Sequence, residues 1–397
     1  MNIVILGAGQ AAASLAARLR ALGHGGPITV IGDEAAPPYQ RPPLSKAYLL
    51  GQMDLDRLTL RAPDWWADQN IALRLGETAT AIDRDARVVR TDRGEYPYDR
   101  LALTLGARPR RLPAEMGGEM PGVHVVRNLA DIAALRPALA PGRRLVVIGG
   151  GYIGLEAAAV ARKLGLAVTL VEAAPRILGR VAAAETADMI RDLHRTHGVE
   201  IIEGVGIARI TGDTAANGVA LADGRHLPAD LVICGIGVSP ETALAEAAGL
   251  EIDNGIAVDA QGRTSDPAVW AAGDCASFPM SRGRLRLESV GNAIDMAEAV
   301  AANMLGAGAD YTPKPWFWSD QFDAKLQIAG LNLGYDRVVT RPGANGGSVW
   351  YFRDGALIAV DALNDPRAYM IGKRLIEAGR SPAPEAIAEA PDLKALL

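Results

Sequence analysis

Two glycine-rich turns of the same design, opening at Gly7 and at Gly149, stand 142 positions apart and limit what this chain can fold into more than any other feature. In the first, the apolar run 2–6 leads into Gly7-Ala8-Gly9-Gln10-Ala11-Ala12. A helical Ala/Leu/Arg stretch follows to Leu22, then a β run at 28–31 that ends in Gly32-Asp33-Glu34. Strand, G-x-G-x-x-A, helix, strand, acid is the order a dinucleotide site requires. Gly7 permits the tight turn, Gly9 lets the backbone meet a pyrophosphate, and Ala12 allows close helix–strand packing. Asp33, 21 residues beyond Ala12, is placed to accept hydrogen bonds from ribose hydroxyls.

The pattern recurs as a strand at 145–148, the loop Gly149-Gly150-Gly151-Tyr152-Ile153-Gly154, a helix over 155–164 and a strand over 167–172. One such turn alone can be nothing more than a tight βα connection. Two complete ones imply two dinucleotides in one protein, and so hydride transfer between a nicotinamide and a flavin. Glu172 ends its strand and is followed by Ala173-Ala174-Pro175, with the first arginine only at Arg176. An acid there accepts from ribose hydroxyls and repels a 2'-phosphate, so NADH is expected over NADPH.

A third motif, Val269-Trp270-Ala271-Ala272-Gly273-Asp274, reads as a short strand ending in Gly-Asp, with a carboxylate placed for the ribityl hydroxyls of FAD. It points to a discontinuous FAD-binding domain, 1–111 with 241–315, and a NAD-binding domain, 112–240, inserted between. From Trp316 the character changes to β runs at 326–331, 337–341, 348–352 and 356–363. Asp365-Pro366 then caps a helix that Gly379 closes, giving a small α+β C-terminal domain, 316–397. Residues 381–391, rich in Ala, Pro and Glu, read as a loosely held tail. The fold class expected is α/β, with two Rossmann-like dinucleotide-binding domains and that smaller third domain.

The balance of 41 Lys and Arg against 46 Asp and Glu leaves a net charge of -5, which gives no support to a nucleic-acid or membrane-surface role. No charge-free apolar stretch approaches the length of a membrane span, and residues 1–7 run straight into the first strand without a basic leader. The two cysteines, Cys234 and Cys275, form no CxxC, so a disulfide scaffold is excluded and a cytoplasmic location is expected.

Four further segments carry a resemblance. These are 41–49 (Arg-Pro-Pro-Leu-Ser-Lys-Ala-Tyr-Leu), 147–156 (Val-Ile-Gly-Gly-Gly-Tyr-Ile-Gly-Leu-Glu), Glu288-Ser289-Val290, and 315–322 (Pro-Trp-Phe-Trp-Ser-Asp-Gln-Phe). With them the chain resembles, over residues 1 to about 380, the FAD-dependent NADH:ferredoxin reductases of the putidaredoxin and rhodocoxin reductase kind, which share the fold of glutathione reductase. It departs at Gly291, where a proline often follows Ser-Val. The resemblance implies FAD contacts at Ala11, Asp33, Arg41, Lys46, Ala79, Arg127, Asp274, Val290 and Trp318. It implies NAD contacts at Gly151, Tyr152, Ile153, Glu156, Glu172 and the Gly235-Ile236-Gly237 turn. It puts Lys46 beside the flavin N5, with Glu156 expected as its ion-pair partner at the nicotinamide; these two are the candidate catalytic residues.

Pro43 and Ser45 are expected to begin a helix aimed at the flavin, and the helix from Val290 to present its amides to the flavin pyrimidine. Disulfide reductases of this architecture carry a redox cysteine pair near residue 45; this chain has none there, and Cys234 and Cys275 read as buried small hydrophobes. Electrons would then leave to a 2Fe-2S ferredoxin serving a cytochrome P450 or a dioxygenase. Arg61, Lys314, Lys325, Arg367, Lys373 and Arg374 are candidate steering charges for that partner. The rival readings are an NADH oxidase or disulfide-reductase flavoenzyme, and a binding flavoprotein of the apoptosis-inducing-factor type. His194 and His197 are expected on a solvated helix face, Trp65-Trp66 in packing, and no metal site.

Overall fold

The computed structural model describes residues 1–280 and 283–397, and its chain divides into two compact units. The first comprises Met1–Gln40, Asp54–Arg108 and Val238–Pro313; the second comprises Arg41–Met53, Pro109–Gly237 and Lys314–Leu397.

The first unit is built on a five-stranded parallel sheet in the order Val269–Ala271, Arg100–Leu103, Ile3–Leu6, Ile28–Gly32, Ile71–Leu75. Ile3, Val4, Ile5 and Leu6 are all buried, as a strand covered on both faces must be. The strand order reverses at Ile3–Leu6, whose two neighbours lie on opposite sides. Ligands of doubly wound sheets bind at such a switch point, and here Gly7 follows directly. Helix Gln10–Ala21 packs against helix Val290–Met304. Both bury alanines (Ala12 and Ala16 on one, Ala297 and Ala301 on the other), which lets two backbones come close.

The second unit holds another parallel sheet, ordered Val199–Glu203, Ala167–Glu172, Arg144–Ile148, Leu231–Cys234, Val123–His124. It also holds an antiparallel sheet, ordered Trp316–Gln321, Ala324–Gly330, Ala356–Leu363, Gly346–Arg353, Arg337–Gly343. The chain is therefore α/β, with two Rossmann-like sheets and a smaller α+β portion at the C-terminal end. Asp365 caps helix Pro366–Glu377 by accepting from the Ala368 amide. That helix covers one face of the antiparallel sheet through Ala368, Ile371 and Leu375.

The tail is not loosely held. Pro384–Glu389 is helical, Ile387 and Leu393 enter the same apolar cluster, and Arg341 donates to the carbonyls of Ile387, Ala388 and Ala390. Its polar composition conceals two apolar anchors at the spacing that reaches the sheet.

The other face of that sheet meets helix Ala184–Thr196 through a buried polar cluster. Thr186 (2.8 Å) and the Tyr351 phenol both donate to Asp361 Oδ2, and the Ala183 amide donates to the Tyr351 oxygen at 3.0 Å. Asp361 is wholly buried and its Oδ1 has no partner among the described residues; burial pushes its carboxyl from 3.8 up to about 6. A raised carboxyl favours the folded state fully below its unfolded value and loses that contribution as pH climbs through about 6. Asp361→Asn removes the charge and should gain on the wild type by roughly 1–3 °C more at pH 8 than at pH 5. Thermal melts at the two values check it, and a difference independent of pH would refute it.

Candidate functional site

The two fingerprints are built alike. Gly7 has φ +93° and a Cβ there would lie 2.3 Å from the Thr104 carbonyl oxygen; Gly149 has φ +106° and its Cβ would lie 2.4 Å from that of Gly235. Only glycine fits either position. Gly9 and Gly151 are the N-caps of helices Gln10–Ala21 and Tyr152–Lys163, and a Cβ on either would meet nothing within 4 Å. Neither helix carries an acid in its own first turn that would compete with an anion at its positive end, as a pyrophosphate site requires. The third positions differ: Ala12 accommodates its methyl in the core, whereas a Cβ on Gly154 would sit 2.1 Å from the Gly149 carbonyl oxygen.

Within the first unit, the Gly273-Asp274 turn comes against the first fingerprint. A Cβ on Gly273 would lie 3.1 Å from Ala11 Cβ and 3.8 Å from Ala293 Cβ, on the helix that Val290 opens and Ser289 caps. Asp33 is exposed and lies one step beyond the end of strand Ile28–Gly32. By strand register the counterpart of Glu172 is Gly32, so the two acids do not occupy equivalent places. Ala79 stands apart, on strand Ala79–Asp83 of a small antiparallel sheet. Of the residues expected at FAD, Arg41, Lys46, Arg127 and Trp318 belong to the second unit, where Arg41 donates to the Arg127 carbonyl at 2.9 Å.

In the second unit Lys46 Nζ lies 2.7 Å from Glu156 Oε2, with Glu156 only 2% exposed. Ser45 Oγ donates to the same oxygen at 2.5 Å and Ser319 Oγ to Oε1 at 2.6 Å. The expected helix from Pro43 is a single 3-10 turn, Pro42–Ser45, because the backbone of Lys46 leaves helical geometry (φ -134°, ψ -115°). That departure sets consecutive side chains, Ser45 and Lys46, on one carboxylate. Ser45 and Ser319 are the partners that sequence reasoning missed. The signal was the alternation in Trp316–Gln321: Trp316 and Trp318 stack on one face (5.4 Å), while Phe317, Ser319 and Gln321 line the other. Phe317 packs on Tyr152 at 4.7 Å; burial first, then the nearby Asp361 carboxylate, raises the Tyr152 phenol well above its usual value.

Glu172 is held at both oxygens, accepting from the Gly150 amide (Oε2, 2.7 Å) and the Ala174 amide (Oε1, 2.7 Å). Arg176 turns away to the Ala182 carbonyl at 2.7 Å and so offers no cation beside that acid. Gly235-Ile236-Gly237 follows strand Leu231–Cys234, with Gly237 at φ +95° and Gly235 against Gly149 and Gly154. Ile153 is exposed at the start of the second fingerprint helix.

His194 contradicts its expected solvated placement. It is wholly buried, with Nε2 2.7 Å from Gln321 Oε1, because strand Trp316–Gln321 covers that helix face. His197 is half-buried and stacks on Phe322 at 3.9 Å. Trp65 and Trp66 pack edge to face, Trp66 in the core. Cys234 and Cys275 are both buried, and burial pushes both thiols up to about 11. In the folded protein neither should react with an aromatic disulfide reagent at pH 8, and the Cys234→Ser/Cys275→Ser protein should keep its electron-transfer rates. A folded double variant that has lost them would overturn this.

Residues 1–297 match the Pyridine nucleotide-disulphide oxidoreductase family, and residues 316–397 match the Reductase C-terminal family. The chain belongs to the pyridine nucleotide-disulphide oxidoreductases. Rhodocoxin reductase of Rhodococcus erythropolis is 43% identical over 395 residues, which cover 98% of this chain and 92% of that protein. The anthranilate 1,2-dioxygenase system ferredoxin–NAD(+) reductase component of Burkholderia cepacia is 40% identical over 97% of this chain and 96% of its own length. Putidaredoxin reductase, in a crystal structure of its covalent complex with putidaredoxin, superposes with a TM-score of 0.95 at 41% identity, covering all of this chain and 97% of that one. The cofactors of the family are FAD and NAD(H), and at each fingerprint the N-cap glycine has open space beside it at the start of a helix with no acid in its first turn, which fits a dinucleotide phosphate.

Proposed function

We propose that this chain takes hydride from NADH and passes electrons singly to a 2Fe-2S ferredoxin that feeds a cytochrome P450 or a dioxygenase. Bound FAD supplies the conversion between a two-electron donor and a one-electron acceptor. The observation that carries the reading is the segment Arg41–Met53. It has no thiol and instead presents Lys46, paired with a buried Glu156, while both cysteines of the chain are buried elsewhere. A route through a disulfide has no residue to use it.

In this reading Gly7, Gly9, Ala11, Ala12, Asp33, Arg41, Lys46, Ala79, Arg127, Asp274, Val290 and Trp318 bind FAD. Gly149, Gly151, Tyr152, Ile153, Gly154, Glu156, Glu172 and the 235–237 turn bind NADH. The functional division is 1–111 with 241–315 for FAD, 112–240 for NADH and 316–397 as the third domain, in a cytoplasmic protein. No helix of the described residues is long and apolar enough to cross a membrane.

Stopped-flow mixing tests the proposal: NADH should bleach the flavin rapidly, and cytochrome c should be reduced only when ferredoxin is added. Lys325 and Arg61 are exposed, so reversing both to Glu should slow ferredoxin reduction about tenfold at low salt, leave the NADH step unchanged, and matter less as salt rises. Cytochrome c reduction indifferent to ferredoxin would overturn the function; a rate flat with salt would move the docking face elsewhere.

A further inference from the structure

We propose that Ser319, Gln321 and His194 form a one-way chain of hydrogen-bond donors that fixes the orientation of the Glu156 carboxylate, making Ser319 and Gln321 positioning residues for hydride transfer. The inference rests on the functional reading above and extends it to residues that reading does not place at either dinucleotide.

The directions follow from donor counting. A serine hydroxyl has one hydrogen, and that of Ser319 goes to Glu156 Oε1, an acceptor only, at 2.6 Å. The contact from Gln321 to Ser319 at 3.0 Å must then be a donation from the amide Nε2. This turns Gln321 Oε1 outward, and an amide oxygen only accepts, so His194 carries its hydrogen on Nε2, 2.7 Å away. Every link points toward the carboxylate. Ser319 and His194 are 0% exposed and Gln321 2%, so bulk solvent does not reach these groups.

Two features keep the chain from reversing. Burial lowers the His194 imidazole from 6.5 to about 4, so the ring stays neutral at working pH. Its Nδ1 is buried without a partner among the described residues, and the ring is held edge-on by Phe322 at 5.0 Å. The amide in the middle does not pass a proton from one side to the other, so the chain orients rather than conducts. Lys46 and Ser45 both bind Oε2, so among the described residues Oε1 is held by this chain alone.

The test uses the FAD-loaded protein. Ser319→Ala should lower the rate constant of flavin reduction at saturating NADH about tenfold while the Kd for NADH stays within about twofold; Ser319→Thr, which keeps the hydroxyl, should recover most of the loss. Gln321→Met, which keeps the volume and removes both polar atoms, should give the same split. In protein labelled with 15N-histidine, NMR should show His194 protonated at Nε2 in the wild type and not held to that tautomer in Gln321→Met. An Nδ1-protonated His194 in the wild type, an unchanged rate in Ser319→Ala, or an equal loss in Ser319→Thr would each overturn the proposal. Failure of the wild type to be reduced by NADH would sink the functional reading alone, and the tautomer would then decide the direction of the chain.

Discussion

Glu156→Leu should cost the folded protein about 3–5 kcal/mol and slow flavin reduction by NADH about 100-fold, and adding Lys46→Met should return part of the stability but none of the rate. Glu156 is 2% exposed and the Lys46 side chain 16%, so this is a pair largely out of water. Removing the acid alone leaves an ammonium facing two serine hydroxyls that have lost their acceptor. Removing both charges leaves apolar side chains of similar bulk, which a buried site tolerates far better. The rate behaves differently, because the proposed role of Lys46, an ammonium balancing developing negative charge, has no substitute in methionine. Urea midpoints for the two single variants and the double, with stopped-flow traces, make the measurement. Strictly additive losses in stability would show that the pair is not coupled.

Glu172→Arg should reverse the coenzyme preference, lowering kcat/KM for NADH about 100-fold and raising that for NADPH. Each charge-assisted hydrogen bond lost from a ribose hydroxyl is worth about 1.5–3 kcal/mol, and the new guanidinium supplies the 2'-phosphate with a partner. The native carboxylate is positioned by the Gly150 and Ala174 amides. Part of the loss in any variant will therefore be a slackened turn, which is why Glu172→Gln is the control. It keeps an acceptor for one amide and should weaken NADH without helping NADPH. A wild type that already prefers NADPH would refute the role given to Glu172.

The elements legible in advance were those decided by neighbours along the chain. Strand Ala167–Glu172, strand Ala356–Leu363 and the Asp365 cap sit where local pattern put them, since alternation, turn residues and a capping side chain act over a few positions. The Lys46–Glu156 pair was expected from resemblance rather than from pattern, and the structure contains it. What escaped was settled across long separations. His194 read as surface because its helix is rich in charge, yet a strand more than a hundred residues later covers it. The turn after Pro43 read as a helix because Pro and Ser begin helices well, but Lys46 breaks away to reach a partner 110 positions on. Local rules carry no information about such debts.

The pairing of strand Arg100–Leu103 with strand Val269–Ala271 sets a timetable for the ribosome. Four strands of the first sheet have been made by Leu103, but the edge they offer has no partner until residues 269–271 follow. All five strands of the second parallel sheet, Val123–His124 to Leu231–Cys234, are synthesised in that interval, so the later sheet can close before the earlier one. A nascent chain halted between the two events carries an open, apolar strand edge, the form most prone to pair with its neighbours. For this protein the exposed edge persists until a segment more than 160 residues further along the chain has left the ribosome, with a whole second sheet made in between.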